Sequence, residues 1–265
     1  MSKEFAVVTG ASSGIGFELA RQFAEHGYDL LIAAEDDAIQ QAAVDLRRDG
    51  ENQVVAVQAD LATYEGVEKL YAAVLESGRG VDALALNAGR GIGGEFVDGT
   101  DLADELNVIA VNVTSTVHLA KRVIPDMVRR DSGRVLFTSS IASTMPGTYQ
   151  AVYNASKSFV QSFAEALRAE LNDSNVSVTS LMPGPTDTNF FHRAEMDDTK
   201  IGAGKKDDPA QVAKQGFEAM MKDKEKVVAG SAKTKAQGAM SKVLPDRAKA
   251  EMHRKMAEPG SAPSE

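Results

Sequence analysis

A tyrosine and a lysine four residues apart, in Tyr153-Asn-Ala-Ser-Lys157, can do acid–base chemistry together. On a helix, residues i and i+4 sit one above the other, about 6 Å apart along the axis. A free phenol titrates near ~10 and is a poor acid or base at neutral pH. A neighbouring ammonium favours the phenolate and lowers that value. Moving it from ~10 to ~7 takes about 4 kcal/mol, which one close charge pair at an effective dielectric of ~20 supplies. The spacing therefore predicts a phenol tuned to exchange a proton near pH 7. The same pair arises by chance on exposed helices, so the elements around it decide its meaning.

Those elements alternate. Residues 5–8, 30–34, 54–57, 81–86, 135–137, 176–182 and 226–229 are short apolar runs that read as strands. Residues 17–27, 36–49, 64–76, 101–130, 152–171 and 209–221 have helical spacing, with Pro125 expected to kink or break the long fourth helix. Strand alternating with helix predicts an α/β fold, a parallel sheet covered on both faces. Residues 187–207 are mixed and polar, a lid or a surface loop. Beyond residue 230 a helical extension is expected. Met240, Val243, Leu244, Ala248, Met252 and Met256 form an apolar stripe opposite Lys242, Arg247, Lys249, Arg254 and Lys255. That stripe predicts docking onto the chain's own body or onto a neighbouring subunit, bordering the lid, rather than onto a membrane. Residues 259–265 read as disordered. The chain thus divides into residues 1–230, a single domain including the lid, and an extension from 231 to 265.

Between the first strand and first helix stands Thr9-Gly-Ala-Ser-Ser-Gly-Ile-Gly16. Gly10, Gly14 and Gly16 let the backbone approach a pyrophosphate, and the helix N-terminus favours the anion. Ser12, Ser13 and Ile15 belong to the same cradle. Gly10-Ala-Ser12-Ser-Gly14 also fits the hydrolase elbow G-x-S-x-G. Its place on the first strand and the poor contexts of His26, His118, His192 and His253 count against it. After the second strand, an acidic residue normally binds the adenosine ribose. Here the run is Glu35-Asp36-Asp37 with no arginine nearby. Carboxylates repel a 2′-phosphate, so Glu35 predicts NAD as cofactor, with NADP less favoured.

The chain of 265 residues contains no cysteine and carries a formal charge of −9. Disulfides and thiolate chemistry are excluded, and a reducing cytoplasm is the expected compartment. The negative charge argues against nucleic acid, and no run approaches a membrane span. No histidine–carboxylate cluster suggests a metal. Residues 222–258 are locally basic, with ten Lys/Arg against five Asp/Glu.

The glycine turn, Asn87-Ala-Gly89, Asn112, Ser140, Tyr153 and Lys157, in this order, resemble the short-chain dehydrogenase/reductase family over about residues 4–190. The resemblance implies a single doubly wound Rossmann-type domain. It implies Ser140 holding a substrate oxygen, Tyr153 as general acid/base, Lys157 on the nicotinamide ribose, and Asn112 anchoring a proton-relay water. It further implies Asp60 and Leu61 at the adenine, and Asn87, Ala88 and Gly89 on the cofactor side. Pro183, Gly184, Thr186 and Thr188 would hold the nicotinamide carboxamide. Leu86 departs from the family's asparagine there. The implied activity is hydride exchange between NAD(P) and an alcohol or carbonyl compound. A regulatory protein that binds a dinucleotide without turnover is the alternative; loss of Ser140, Tyr153 or Lys157 would mark it, and all three are present. The substrate pocket is expected around residues 90–96, 141–150 and 188–196, with Phe96, Met145, Tyr149, Phe190 and Phe191 as apolar walls. Apolar positions on residues 101–130 and 152–171, among them Val108, Ile109, Phe159 and Val160, predict a homodimer or homotetramer.

Overall fold

Short aliphatic runs pair side by side in the computed structural model, which describes residues 3–47, 51–240 and 244–263. The strands are β1 (Phe5–Thr9), β2 (Asp29–Ala34), β3 (Val54–Gln58), β4 (Ala83–Leu86), β5 (Gly133–Thr138), β6 (Val176–Pro183) and β7 (Lys226–Ala229). They form one sheet in the order β3-β2-β1-β4-β5-β6-β7, and each adjacent pair is parallel. The helices are α1 (Gly14–Glu25), α2 (Ala38–Leu46), α3 (Tyr64–Glu76), α4 (Leu102–Ile109), α5 (Ser115–Arg129) and α6 (Ala151–Glu170). They continue with α7 (Phe190–Arg193), α8 (Lys200–Ala203), α9 (Pro209–Met221), α10 (Ala232–Met240) and α11 (Asp246–Ala257).

Side chains alternate across a strand, so each strand serves two cores. Ala6, Val8, Leu30 and Ile32 pack with Leu19 and Phe23 of α1 and Val212 and Phe217 of α9. Val7, Leu31 and Leu84 face the other way, against Leu70 of α3, Leu119 of α5 and Val160 of α6. Both faces are covered, as a parallel sheet requires. β1 lies between β2 and β4 with Val7 in register with both Leu31 and Leu84. The connection order reverses at β1 and β4, which opens a crevice beyond their carboxyl ends.

The long helix expected over 101–130 is interrupted, but not by Pro125. Residues Ala110–Thr114 form a π turn between α4 and α5, and Pro125 lies inside α5, which runs on to Arg129. Proline removes one backbone donor; Val123, Ile124 and Met127 around it are buried against the sheet, which holds the segment helical. A π turn shifts the backbone register locally and often accompanies a functional site. Here it contains Asn112. The second helix ends at Leu46; the expected end near residue 49 lies outside the described residues.

The lid region is packed down. Phe191, Ala194 and Met196 form a cluster with Ala257 of α11, and a parallel bridge joins Thr186 to Asp207. The carboxy-terminal extension docks on the body, but through a face turned away from the expected stripe: His253 and Ala257 are buried, whereas Met240 and Ala248 are exposed. Thr148 Oγ1 donates to the Ala250 carbonyl at 3.0 Å and Lys249 Nζ to the Thr144 carbonyl at 3.2 Å. The stripe residue Val243, with Lys242 opposite, lies outside the described residues. Residues 259–263, expected to be disordered, are instead tied to the lid. Gly260 N donates to Asp198 Oδ2 at 2.7 Å, Ala262 N to the Asp198 carbonyl at 2.8 Å, and Lys200 N to Ser261 Oγ at 3.1 Å. These backbone partners come from distant segments, which composition does not show.

Candidate active site

A cavity of about 350 Å³ opens beyond the carboxyl ends of β1, β4, β5 and β6. Its first wall is the turn between β1 and α1. Gly10 and Gly14 have φ of +66° and +56°, the left-handed region that glycine reaches without strain. A Cβ on Gly16 would stand 2.0 Å from the Gly10 carbonyl oxygen, so no side chain fits. Ser13 precedes α1 without a side-chain cap, and no acidic residue occupies the first turn. The first-turn N–H groups therefore remain for an anion.

The next wall is the end of β2. Glu35 and Asp36 both line the cavity. Ser12 Oγ donates to Asp36 Oδ2 at 3.1 Å, and the buried Asp36 Oδ1 has no partner. The acid run singled out Glu35; the tie to the glycine turn makes Asp36 the better placed carboxylate. Asp60 and Leu61 line the same end, although Asp60 Oδ1 also accepts from Ala62 N at 2.9 Å. A bare glycine cradle, an uncapped helix and an orphaned carboxylate oxygen together fit a dinucleotide: pyrophosphate on α1 and ribose hydroxyls on the acids.

Asn87 fastens the floor. Its Nδ2 donates to the Thr9 carbonyl at 3.1 Å, its Oδ1 accepts from Thr138 Oγ1 at 3.1 Å, and Thr9 Oγ1 receives the N–H of Asn87 and of Ala88 at 3.0 Å. The loop through Gly89 is thus bound to β1 and β5. Leu86 sits in the core, so the departure from asparagine is absorbed by packing. Pro183, Gly184, Thr186 and Thr188 line the opposite side. Thr188 contacts the place where a Gly14 Cβ would be, at 2.8 Å.

Ser140, Tyr153 and Lys157 meet in this cavity. Ser140 Oγ accepts from Ala142 N at 3.1 Å and lies 3.4 Å from the Pro183 carbonyl, to which it donates. Lys157 Nζ donates to the Thr138 carbonyl at 3.0 Å and lies 6.0 Å from the Tyr153 ring centroid. The charge pair expected from spacing does not dominate. Burial pushes the phenol up to about 12, against a smaller opposite pull from the Ser140 hydroxyl. Burial likewise brings the ammonium down to about 8. Both groups lie inside the protein, where losing water outweighs an attraction that the Nζ spends partly on Thr138.

Asn112 stands behind the cavity rather than in it. Its Nδ2 donates to the Arg90 carbonyl and to Ser156 Oγ, both at 2.9 Å, and its Oδ1 accepts from Arg90 N at 2.8 Å. The side chain is committed to holding the loop after Gly89. Of the expected pocket walls, Met145, Phe190 and Phe191 line the cavity. Phe96 is 60% exposed and Tyr149 packs on the lid cluster; neither lines it. Sequence reasoning also passed over Ile201, Gln237, His253 and Met256, all of which do. His253 was set aside for its context, yet it shares a helical face with Met256 at i and i+3, a signal that was present.

Among the described residues no helix is long and apolar enough to cross a membrane, and no group of acidic or histidine side chains could hold a metal. The short chain dehydrogenase family model matches residues 4–199. The NADP-dependent 3-hydroxy acid dehydrogenase YdfG of Salmonella typhimurium is 32% identical over 198 residues, 74% of this chain and 79% of that protein. A short-chain dehydrogenase from Sphingobium yanoikuyae in complex with NADPH superposes with a TM-score of 0.79 at 26% identity, covering 91% of this chain and 96% of that one. A short chain dehydrogenase/reductase from Burkholderia phymatum in complex with NAD gives 0.82 at 25% identity, covering 97% and 98%. With the sheet order, the glycine cradle and the serine–tyrosine–lysine cluster, this match places the chain in the short-chain dehydrogenase/reductase family of NAD(P)-dependent oxidoreductases.

Proposed function

We propose that the protein interconverts an alcohol and its carbonyl compound, with Tyr153 as general acid/base, and that it prefers NAD to NADP. The observation that carries the reading is the convergence of Ser140, Tyr153 and Lys157 in the cavity that also holds the glycine cradle. When bound, the dinucleotide would supply the hydride in the reducing direction, and Tyr153 would give its proton to the substrate oxygen. A substrate oxygen placed between the Ser140 and Tyr153 hydroxyls would be held by both. The phenol, held protonated by burial, is a donor at neutral pH. Lys157 remains largely protonated at pH 7, so its charge steadies the phenolate formed as the proton leaves. Asn112 keeps the Arg90 loop in place, and Phe190 and Met145 keep water from the reacting carbon.

The preference for NAD rests on Glu35 and Asp36, whose carboxylates oppose a 2′-phosphate at the end of β2. Lys157 and Ser13 with the first turn of α1 hold the rest of the dinucleotide. Self-association rests on Leu102, Leu106 and Ile109 of α4 and Phe159 of α6, large apolar side chains that are exposed; Val108 and Val160, expected in that surface, belong to the core. A two-fold pairing of these helices would cover the patch, and a monomer in light scattering at micromolar concentration would count against it.

The test of function is oxidation of NADH and NADPH at the reduced-nicotinamide absorbance with a panel of ketones, and the reverse with alcohols. Turnover with at least one pair, faster with NADH, is expected. Tight dinucleotide binding without turnover across the panel would instead favour a protein that senses the dinucleotide.

A further inference from the structure

Helix α11 delivers a histidine to the cavity that contains Ser140 and Tyr153. His253 is 3% exposed, and its Nδ1 lies 2.9 Å from the Thr148 carbonyl. A carbonyl oxygen only accepts, so Nδ1 carries the proton. Burial pulls the imidazole below its usual range, so the ring is neutral at pH 7 and Nε2 keeps a lone pair. Among the described residues Nε2 has no hydrogen-bond partner.

The placement is built. Two further polar contacts, Thr148 to Ala250 and Lys249 to Thr144, hold α11 on the loop that separates Ser140 from Tyr153. The same cavity is walled by Met145, Phe190, Ile201 and Met256. An acceptor in such a wall discriminates strongly, because a bound group that leaves it unpaired forfeits its hydration. Gln150, 5% exposed and lining the same cavity, is a second uncommitted group: its Nε2 has no partner.

We infer that His253 is a specificity-determining residue, whose Nε2 accepts a hydrogen bond from a hydroxyl that the substrate carries besides its reacting oxygen. The preferred class is therefore hydroxyketones and the corresponding diols. The inference rests on the alcohol–carbonyl reading above and adds the chemistry of the substrate's second group.

Two substitutions separate this role from a structural one. His253→Asn keeps a donor for the Thr148 carbonyl and removes the cavity acceptor. His253→Gln extends an amide oxygen toward the position of Nε2 and gives up the Thr148 bond. Full-length protein with NADH is assayed on 3-hydroxy-2-butanone against 2-butanone, and on 2-hydroxyacetophenone against acetophenone. The wild type should favour the hydroxylated member of each pair by about tenfold in kcat/KM, mostly through KM. His253→Asn should erase that preference while leaving the plain ketones within about twofold, and His253→Gln should restore part of it. Equal turnover of both members by the wild type, or an equal fall on both in His253→Asn, would overturn the inference. A titration of histidine ring protons in the NADH-loaded protein reads binding without turnover. A His253 shift with the hydroxyketone and none with the plain ketone supports the inference even where no ketone is reduced, which would be a failure of the functional reading alone. No His253 shift with either compound overturns it.

Discussion

Replacing Lys157 with methionine should stabilise the folded chain at neutral pH while suppressing turnover. Lys157 is 4% exposed, and burial brings its ammonium from the ordinary 10.5 to about 8. At ~1.4 kcal/mol per pH unit, that difference is a penalty of about 3 kcal/mol on the folded state. Methionine matches the length of the stem and carries no charge. It leaves the Thr138 carbonyl, which accepts from Nζ at 3.0 Å, without that donor, which costs about 1–2 kcal/mol. The net gain is about 1–2 kcal/mol near pH 6.5, roughly 2–6 °C in Tm for a chain of this size. The gain depends on pH in a definite direction. Below pH 8 the lysine is protonated in both folded and unfolded chains, and the whole penalty is present. Between about 8 and 10.5 the folded chain releases the proton while the unfolded chain keeps it, so wild-type stability rises with pH. By pH 9.5 the penalty has shrunk by about 2 kcal/mol, and the advantage of the variant should be gone. Urea melts of both proteins without cofactor, at pH 6.5 and 9.5, measure this. A variant less stable than the wild type at pH 6.5, by a gap that is the same at pH 9.5, would refute the reasoning.

Tyr153→Phe should lower kcat by roughly 10²–10⁴-fold and leave NADH affinity, read by fluorescence titration, nearly intact; wild-type turnover in the folded variant would remove the phenol from the mechanism. Gly16→Ala places a methyl 2.0 Å from the Gly10 carbonyl oxygen, so backbone must move. A loss of roughly 1–3 kcal/mol in denaturant melts and weak dinucleotide binding are expected, and an unaffected protein would show the cradle to be looser than its geometry. Asp36→Arg should shift the NADP-to-NAD ratio of kcat/KM upward by roughly ten- to hundredfold; an unchanged ratio would move discrimination elsewhere. Deleting residues 245–265 should lower Tm and loosen substrate selection without changing membrane affinity. Sedimentation with anionic liposomes checks the last point, since strong binding lost on deletion would contradict docking on the chain's own body.

The elements with a strong local signal were legible from the chain alone. Seven short apolar runs, a glycine turn between the first strand and helix, and a tyrosine, lysine and serine at fixed spacings depend on backbone period and steric allowance. Those are local properties. They were enough to anticipate the parallel sheet and the Tyr153–Lys157 pair, whereas Ser140 joined that pair only through the resemblance to the short-chain dehydrogenase/reductase family. What depended on burial was not legible. The Tyr153–Lys157 spacing suggested a charge pair that lowers the phenol, but desolvation depends on what covers both groups, and the covering residues come from β5, α7 and the loop after β4. Asn112 is adjacent in sequence to ordinary helical residues, yet the π turn and the Arg90 backbone decide that its amide supports a loop. Asp36 gains its place over Glu35 only through Ser12, 24 residues away. His253 is an unremarkable residue on a basic tail until α11 folds back onto the Thr148 loop, 105 residues distant, and adds it to the cavity wall. Sequence patterns determine which segments form; packing sets which face each finally buries and which polar groups lose water, and that loss governs the chemistry they can do.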